Sequence, residues 1–597
     1  MAEGEMVHTT NAVRRRVVFV RSRRAALLAA LVSASALIAA ACGGSDNGGG
    51  SSSNAKPTKA QEASATKQID INEQPLDKLK QGGTVRWAVD QFSTQWNYNQ
   101  LNGPEASTSQ VLYGVMPYAF IADKTAKVAP NPDYVTSAKA DTSSGKQVVT
   151  IELNPKAKWS DGTPITEKDY QTQWEALRGK DSKYQVASST GYDLISSVKA
   201  GKDQNEVIAT FDKPFADWMS LWSPLYPAKY QDTASHFNSG YLNKIPVTAG
   251  PFKIEKIDKT AKTVSLVPDA NWWGAKPHVA RIITRALEGD AGVNAFVNGE
   301  VDVNLIPNDP SSYKRAAGAK NGVVRVAGGP DFRHFTFNGT SPNLKDVNVR
   351  QAIAMGINRN AIVKADLTGL PWPAVTMGNH FLVNTQAGYK DNSGAVGTYN
   401  PDKAKQLLDA AGWKQGSGGF RTKGGKTLDL RFVIPTGVPA SKQEGELTQA
   451  MLKEIGVKLD INAVPSDDFF DKYVIPGNFD ITPFAWLGTP FPISSAQSIY
   501  ANPTKDDKGE LQIQQNFARV GSKEIDDLMD KAAQTLDQNQ AFTSINQADA
   551  KVWDLVHSIV FFQRPQMTAV NKNLANVGSY GFAQPDYTKI GFLNSPS

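Results

Sequence analysis

The chain has 597 residues, 40% of them hydrophobic and 20% charged, with 64 Lys and Arg against 58 Asp and Glu for a formal charge of +6. Arg14, Arg15, Arg16, Arg21, Arg23 and Arg24, set against Glu3 and Glu5, carry +4 of that +6. The remaining +2 offers no basic field for nucleic acid, no apolar run after residue 41 is long enough to span a membrane, and the single cysteine, Cys42, excludes an intramolecular disulfide.

In chain order, the six arginines form the positive region ahead of the apolar run 25–41, the arrangement of an export signal. At 17 residues the run is shorter than the roughly 20 that span a bilayer comfortably. Ala39, Ala40 and Ala41 before Cys42 resemble a lipobox, with Ala39 where leucine is preferred. Residues 1–41 are therefore read as a signal peptide and Cys42 as a lipidation site holding the chain on the extracytoplasmic face of the cell membrane. An uncleaved anchor helix is the competing reading, and Ser22-Arg23-Arg24, which partly resembles a twin-arginine signal, leaves the export route open. Residues 42–81 read as the lipidated cysteine and a flexible linker, because the stretch 43–68 is rich in Gly, Ser, Asn, Lys and Ala without an apolar period.

The body starts with a strand over 82–89, followed by an aromatic and amide segment, 92–103, of the composition that suits a cleft wall. Alternation of Val149, Ile151 and Leu153 from Gln147 predicts a half-buried strand, then a turn over 159–164. Thr166 and Asp169 predict a capped helix with Tyr170, Trp174 and Leu177 on one face. Trp218 and Trp222, four apart, read as a helix face in the core. Asn400-Pro401 predicts a helix start, Ala404, Leu407, Leu408 and Ala411 its apolar face, and Gly412 its end. Leu447, Met451 and Ile455 repeat the pattern up to Gly456, before a strand through Val457, Leu459 and Ile461. Strands and helices alternating over this length imply α/β lobes.

In this order, Trp159-Ser160-Asp161-Gly162-Thr163-Pro164-Ile165-Thr166, Thr248-Ala249-Gly250-Pro251-Phe252-Lys253, Asn271-Trp272-Trp273-Gly274-Ala275-Lys276-Pro277, Gly299-Glu300-Val301-Asp302 and Asp346-Val347-Asn348-Val349-Arg350-Gln351-Ala352-Ile353 resemble the words of one family. The chain resembles the family 5 (cluster C) extracellular solute-binding proteins of ABC importers, which bind dipeptides, oligopeptides or nickel, over roughly residues 82–590. Most of these words read as scaffold: Asp161-Gly162 as a turn, Trp272 and Trp273 as packing, Arg350 as a satisfied ion pair. The resemblance implies a periplasmic-binding-protein-like α/β fold of type II, with two large lobes, a smaller third domain and a ligand cleft between the lobes. Domain I would comprise 82–112, 248–328 and 562–597, domain II 113–247 and domain III 329–561, with hinges near 328–337 and 560–564. It further implies a monomer that closes around its ligand and docks on a permease served by a separate ATPase.

In peptide-binding members of the family, a carboxylate three residues after a tryptophan pairs with the peptide's α-ammonium group. Here the tryptophan is Trp486 and the place is held by Thr489, a neutral hydroxyl that does not offset the desolvation of an ammonium ion. Asp480 is the nearest acid and reads as part of a strand. Trp96, Asn97, Tyr98, Trp372 and Trp486 make the expected site one of aromatic and amide groups, suited to oligopeptide-like or other small amphipathic solutes, sugar rings or blocked peptides. The word Trp96-Asn97-Tyr98-Asn99 resembles an actinobacterial branch with members linked by name to mannosylated envelope lipids, so a lipoprotein that binds a glycolipid without transport is the alternative. No catalytic residue, cofactor or metal site is expected. There is no Gly-x-Ser-x-Gly elbow, and no pair of the six histidines has zinc-site spacing.

Overall fold

A computed structural model describes residues 65–594. The signal peptide, Cys42 and the linker up to residue 64 lie outside the described residues. The linker expected to run to residue 81 is corrected for its last part, because residues 65–81 are tied to the body. Asp70 bridges Ser579 through the backbone, its carboxylate accepts the Val326 N–H at 2.9 Å, and Leu79 and Lys80 pair with Leu593 and Phe592. Ile69 and Ile71 pack against the core on either side of Asp70, a short alternation that the polar composition around it concealed.

The elements that position the site are, in order, β1 (Thr84–Val89), α1 (Ala106–Val115), β2 (Val135–Asp141), β3 (Gln147–Leu153), α2 (Glu167–Leu177), β4 (Ile195–Ala200), β5 (Glu206–Phe211), β6 (Phe252–Asp258), β7 (Thr263–Pro268), β8 (Arg281–Ala286) and β9 (Val303–Ile306). They continue with β10 (Gly322–Phe337), α3 (Arg359–Leu367), α4 (Pro401–Ala410), β11 (Asp429–Pro435), α5 (Pro439–Glu454), β12 (Lys458–Val464), β13 (Ile481–Leu487), α6 (Pro492–Tyr500) and β14 (Ser558–Asn571). Local chemistry sets several of these boundaries. Thr166 and Asp169 form the capping box of α2, and the Asn400 side chain accepts the Lys403 N–H at 2.9 Å ahead of Pro401. Gly412 ends α4 at φ +85°, a conformation that side chains with a Cβ adopt at a cost.

Ten strands form one mixed sheet in the order β12-β11-β13-β10-β14-β9-β1-β8-β7-β6. A separate four-stranded sheet, β2-β3-β5-β4, belongs to the intervening segment. β1 lies parallel to β8 and β9, whereas β10 and β14 are long antiparallel partners of 16 and 14 residues that join the two halves of the sheet. Their register breaks between Gly328 and Phe332 and again between Arg333 and His334. One apolar cluster gathers residues of the half with β10 to β14, and a second holds β1, α1, α2 and the four-stranded sheet.

Two local expectations change. Trp218 and Trp222 are core residues, but no helix joins them: a single 3₁₀ turn covers Trp218–Ser220, and Trp222 takes φ +56° while its ring packs on Tyr170 and Tyr192. Arg350 is scaffold, but without an ion pair: it donates to the carbonyls of Leu344, Lys345 and Leu555, satisfying the end of a helix rather than a carboxylate.

Beside the register break sits an enclosed ionic group. Arg333 of β10 donates to both oxygens of Glu444 of α5 at 2.6 and 2.5 Å and to Ser441 Oγ at 2.8 Å. Arg564 of β14 pairs with Asp331. Asp366 of α3 stands beside Glu444, and burial followed by the Glu444 charge pushes its pKa up to about 9. The folded state therefore keeps a proton that the unfolded chain releases near pH 4, so this group makes stability fall as pH rises from about 4 towards 9. Asp366→Asn is expected to flatten that slope and to raise stability at pH 8 by at least about 1 kcal/mol. Urea midpoints at pH 5 and 8 check it; an unchanged difference between the two pH values would show that Asp366 titrates as an ordinary carboxylate.

Candidate functional site

Strand pairing brings Trp486 of β13 opposite Phe332 of β10, so both point to one face of the sheet together with Phe484 and His334. The Trp486 ring stacks between Phe517, with centroids 5.7 Å apart, and His334, at 6.0 Å, and meets Phe484 edge-on at 5.2 Å. Only 9% of the residue is exposed. Trp486 is thus part of an aromatic wall rather than a free platform. Trp372, in the loop after α3, is 8% exposed and belongs to the same apolar cluster. Burial pulls the His334 imidazole well below its ordinary pKa, leaving it neutral, with Nε2 on Thr336 Oγ1 and Nδ1 without a partner.

Thr489 closes the turn into α6. Its hydroxyl accepts the Phe491 N–H at 3.0 Å and lies 3.1 Å from the Phe491 carbonyl, and its own carbonyl accepts Gln386 Nε2 at 3.1 Å. Asp480 is no substitute for the missing acid, since it is buried at the start of β13 with Ser341 Oγ at 2.5 Å and the Arg431 N–H at 2.7 Å.

On the opposite side, Trp96 and Asn97 are corrected from ligand contacts to core. Trp96 is 1% and Asn97 0% exposed. Asn97 donates to the Phe237 carbonyl, accepts from the Asn99 N–H and takes Gln95 Oε1 on its backbone N–H, so it folds the 92–103 segment upon itself. A Cβ on Gly103 would lie 2.0 Å from the Asn97 carbonyl oxygen, which explains the glycine that ends this segment. Tyr98 is half-buried. Its backbone N–H donates to the Tyr226 hydroxyl, and nearby Tyr113 and Tyr118 stand with centroids 5.0 Å apart. Burial raises the pKa of both, so both serve as neutral hydroxyl groups.

The two sides meet at a seam beside Thr489. The Ala216 N–H donates to the Ala533 carbonyl at 2.6 Å, and Asp217 accepts the Ser494 N–H in the first turn of α6 at 2.9 Å. Burial raises the Asp217 pKa against that bond. A hollow of about 80 Å³ remains there, lined by Thr125, Lys127, Gln386, Pro490 and Phe542. Among the described residues no group of three or more His, Cys, Asp or Glu could hold a metal ion. The arrangement offers stacking surfaces and neutral hydroxyl and amide groups, and no general base placed against a nucleophile. Sequence reading passed over Asp90, Tyr113, Tyr118 and Phe517. Of these only Asp90 carries a signal, its place directly after a predicted strand.

The profile of the bacterial extracellular solute-binding proteins, family 5 (Middle), matches residues 129–508. The oligopeptide-binding protein OppA of Mycobacterium tuberculosis (strain H37Rv) is 36% identical over 541 residues, 90% of this chain and 89% of its own. The probable monoacyl phosphatidylinositol tetramannoside-binding protein LpqW of the same strain is 26% identical over 226 residues, 37% of this chain and 35% of its own. Among solved structures, the periplasmic EDTA-binding protein EppA superposes with a TM-score of 0.78 at 26% identity, covering 89% of this chain and 99% of that one.

Proposed function

The chain belongs to the bacterial extracellular solute-binding proteins of family 5, with their type II periplasmic-binding-protein-like α/β fold, and we propose that it captures oligopeptides or peptide-like solutes for an ABC importer. The observation that carries this reading is the 36% identity to OppA along 90% of the chain. Ligand enters between the part built on β1, β6 to β9 and the part built on β10 to β13, and the lobes close over it by bending where the register of β10 and β14 breaks. The seam of Ala216 and Asp217 against Ala533 and Ser494 supports a closed form as the one that docks on the permease. A separate ATPase drives transport, and lipidated Cys42 keeps the monomer on the outer face of the cell membrane.

The LpqW match supports a second reading, glycolipid binding without transport, but it spans 37% of the chain where OppA spans 90%. Uptake separates the two. In cells lacking this chain, the wild type should restore import of a labelled oligopeptide mixture, whereas Cys42→Ala should leave the membrane fraction and fail to restore it. Import unaffected by loss of the chain refutes the transport reading, and unchanged acyl labelling of Cys42→Ala refutes the anchor, whereas an unprocessed precursor held on the membrane by the run 25–41 does not.

A further inference from the structure

The site described above lacks a charge where Thr489 stands, while a carboxylate at the end of β1 lacks a partner. Asp90 directly follows β1, a strand flanked on both sides by parallel neighbours. In open α/β sheets the space beyond the carboxyl ends of such strands is where ligands sit. Its peptide unit is clamped: the Val89 carbonyl accepts the Leu287 N–H at 2.8 Å and the Gln91 N–H donates to Ser107 Oγ at 3.1 Å. Strand alternation carries Asp90 to the face of Ala88, which packs in the cluster that contains Phe332 and Trp486.

The Asp90 carboxylate makes no hydrogen bond and no ion pair with any described residue. Other enclosed aspartates differ: Asp302 holds Arg86 and Asn571, Asp169 holds two backbone N–H groups, and Asp549 holds His380 and Asn392. No lysine or arginine occurs between residues 87 and 123, and Arg86, the nearest before them, is bound to Asp302 through both Nε and Nη2. Burial raises the Asp90 pKa, with no neighbouring charge opposing it. A half-buried, unpaired carboxylate is stabilised when a cation arrives to pair with it.

We propose that Asp90 is the anion that receives a primary ammonium group of the bound solute, in place of the carboxylate that Thr489 does not provide. The proposal rests on the peptide reading of the site. The ammonium has two possible sources, a free peptide N-terminus or a lysine side chain, and the same bond serves either.

The test measures affinity of the purified body for randomised pentapeptide libraries that are free or N-acetylated, the acetylated ones with a central lysine or a central norleucine. The wild type should bind the library bearing the recognised ammonium about tenfold or more tightly than its uncharged counterpart. Asp90→Asn, with thermal unfolding confirming its fold, should bind the two alike. Preference for free over acetylated peptides identifies the N-terminus, and preference for lysine over norleucine identifies the side chain. A wild type indifferent to both charges, or an Asp90→Asn protein that keeps the preference, overturns the proposal and leaves the peptide reading standing. A wild type that binds none of the libraries overturns both. If Asp90→Asn does not fold, Asp90→Ser takes its place and is read in the same way.

Discussion

Arg333→Met is expected to lower the free energy of unfolding by about 3–5 kcal/mol, the range for removing one partner of a buried ion pair. Among the described residues Arg333 is the one cation paired with Glu444, whose side chain is fully buried, and Asp366 lies beside them with one carboxyl oxygen unpartnered. Without the guanidinium, two enclosed acids face each other with no cation between them. Glu444→Gln is expected to cost less than half as much. Asp366, whose proton is held first by burial and then by the Glu444 charge, can then ionise more readily and pair with Arg333. Urea unfolding of both variants at pH 7 measures the difference. Equal losses would mean that Asp366 does not take over from Glu444 as the partner of Arg333.

Trp486→Ala is expected to destabilise the protein by about 3–5 kcal/mol, as for other large aromatic truncations in packed interiors, and to abolish ligand binding. The position alone suggests a ligand contact removable without effect on the fold. Its surroundings say otherwise, because the ring is held between Phe517 and His334 and braced by Phe484. Removing it opens a cavity in the wall that β10 and β13 present to the cleft. Trp486→Phe should recover most of the stability, since it refills much of that volume. An unchanged urea midpoint in Trp486→Ala with binding lost would restore the reading of Trp486 as a free ligand platform. Unchanged binding would remove it from the site.

Several local features were legible before any coordinates. The capping box of Thr166 and Asp169, the Asn400-Pro401 helix start and the alternation from Gln147 to Leu153 appear as read, because each depends on residues no more than a few positions apart. The turn at Asp161-Gly162 is of the same kind: Gly162 takes φ +87° and Asp161 accepts the Thr163 N–H. Family membership was legible for a related reason, as the words that carry it are mostly such turns and packing residues.

The candidate site was legible only in part. Trp486 lies on β13 and Thr489 in the turn into α6, and what they do there is set by partners that no local pattern names. Trp96 and Asn97 have the composition of a cleft wall and are core, because the Tyr226 hydroxyl donates to the Trp96 carbonyl and the Phe237 carbonyl accepts from Asn97, bonds from residues more than 120 positions away that draw the segment inward. The Arg333, Asp366 and Glu444 group and the unpaired state of Asp90 were invisible for the same reason, since a charge is satisfied or stranded according to which side chains the fold delivers to it. By itself, the sequence determined the caps, turns, alternation and family, all matters of short-range geometry. The tertiary structure alone decided which polar groups are paired, which aromatics are exposed and which carboxylate is left free, because burial and charge pairing are properties of contacts between residues far apart in the chain.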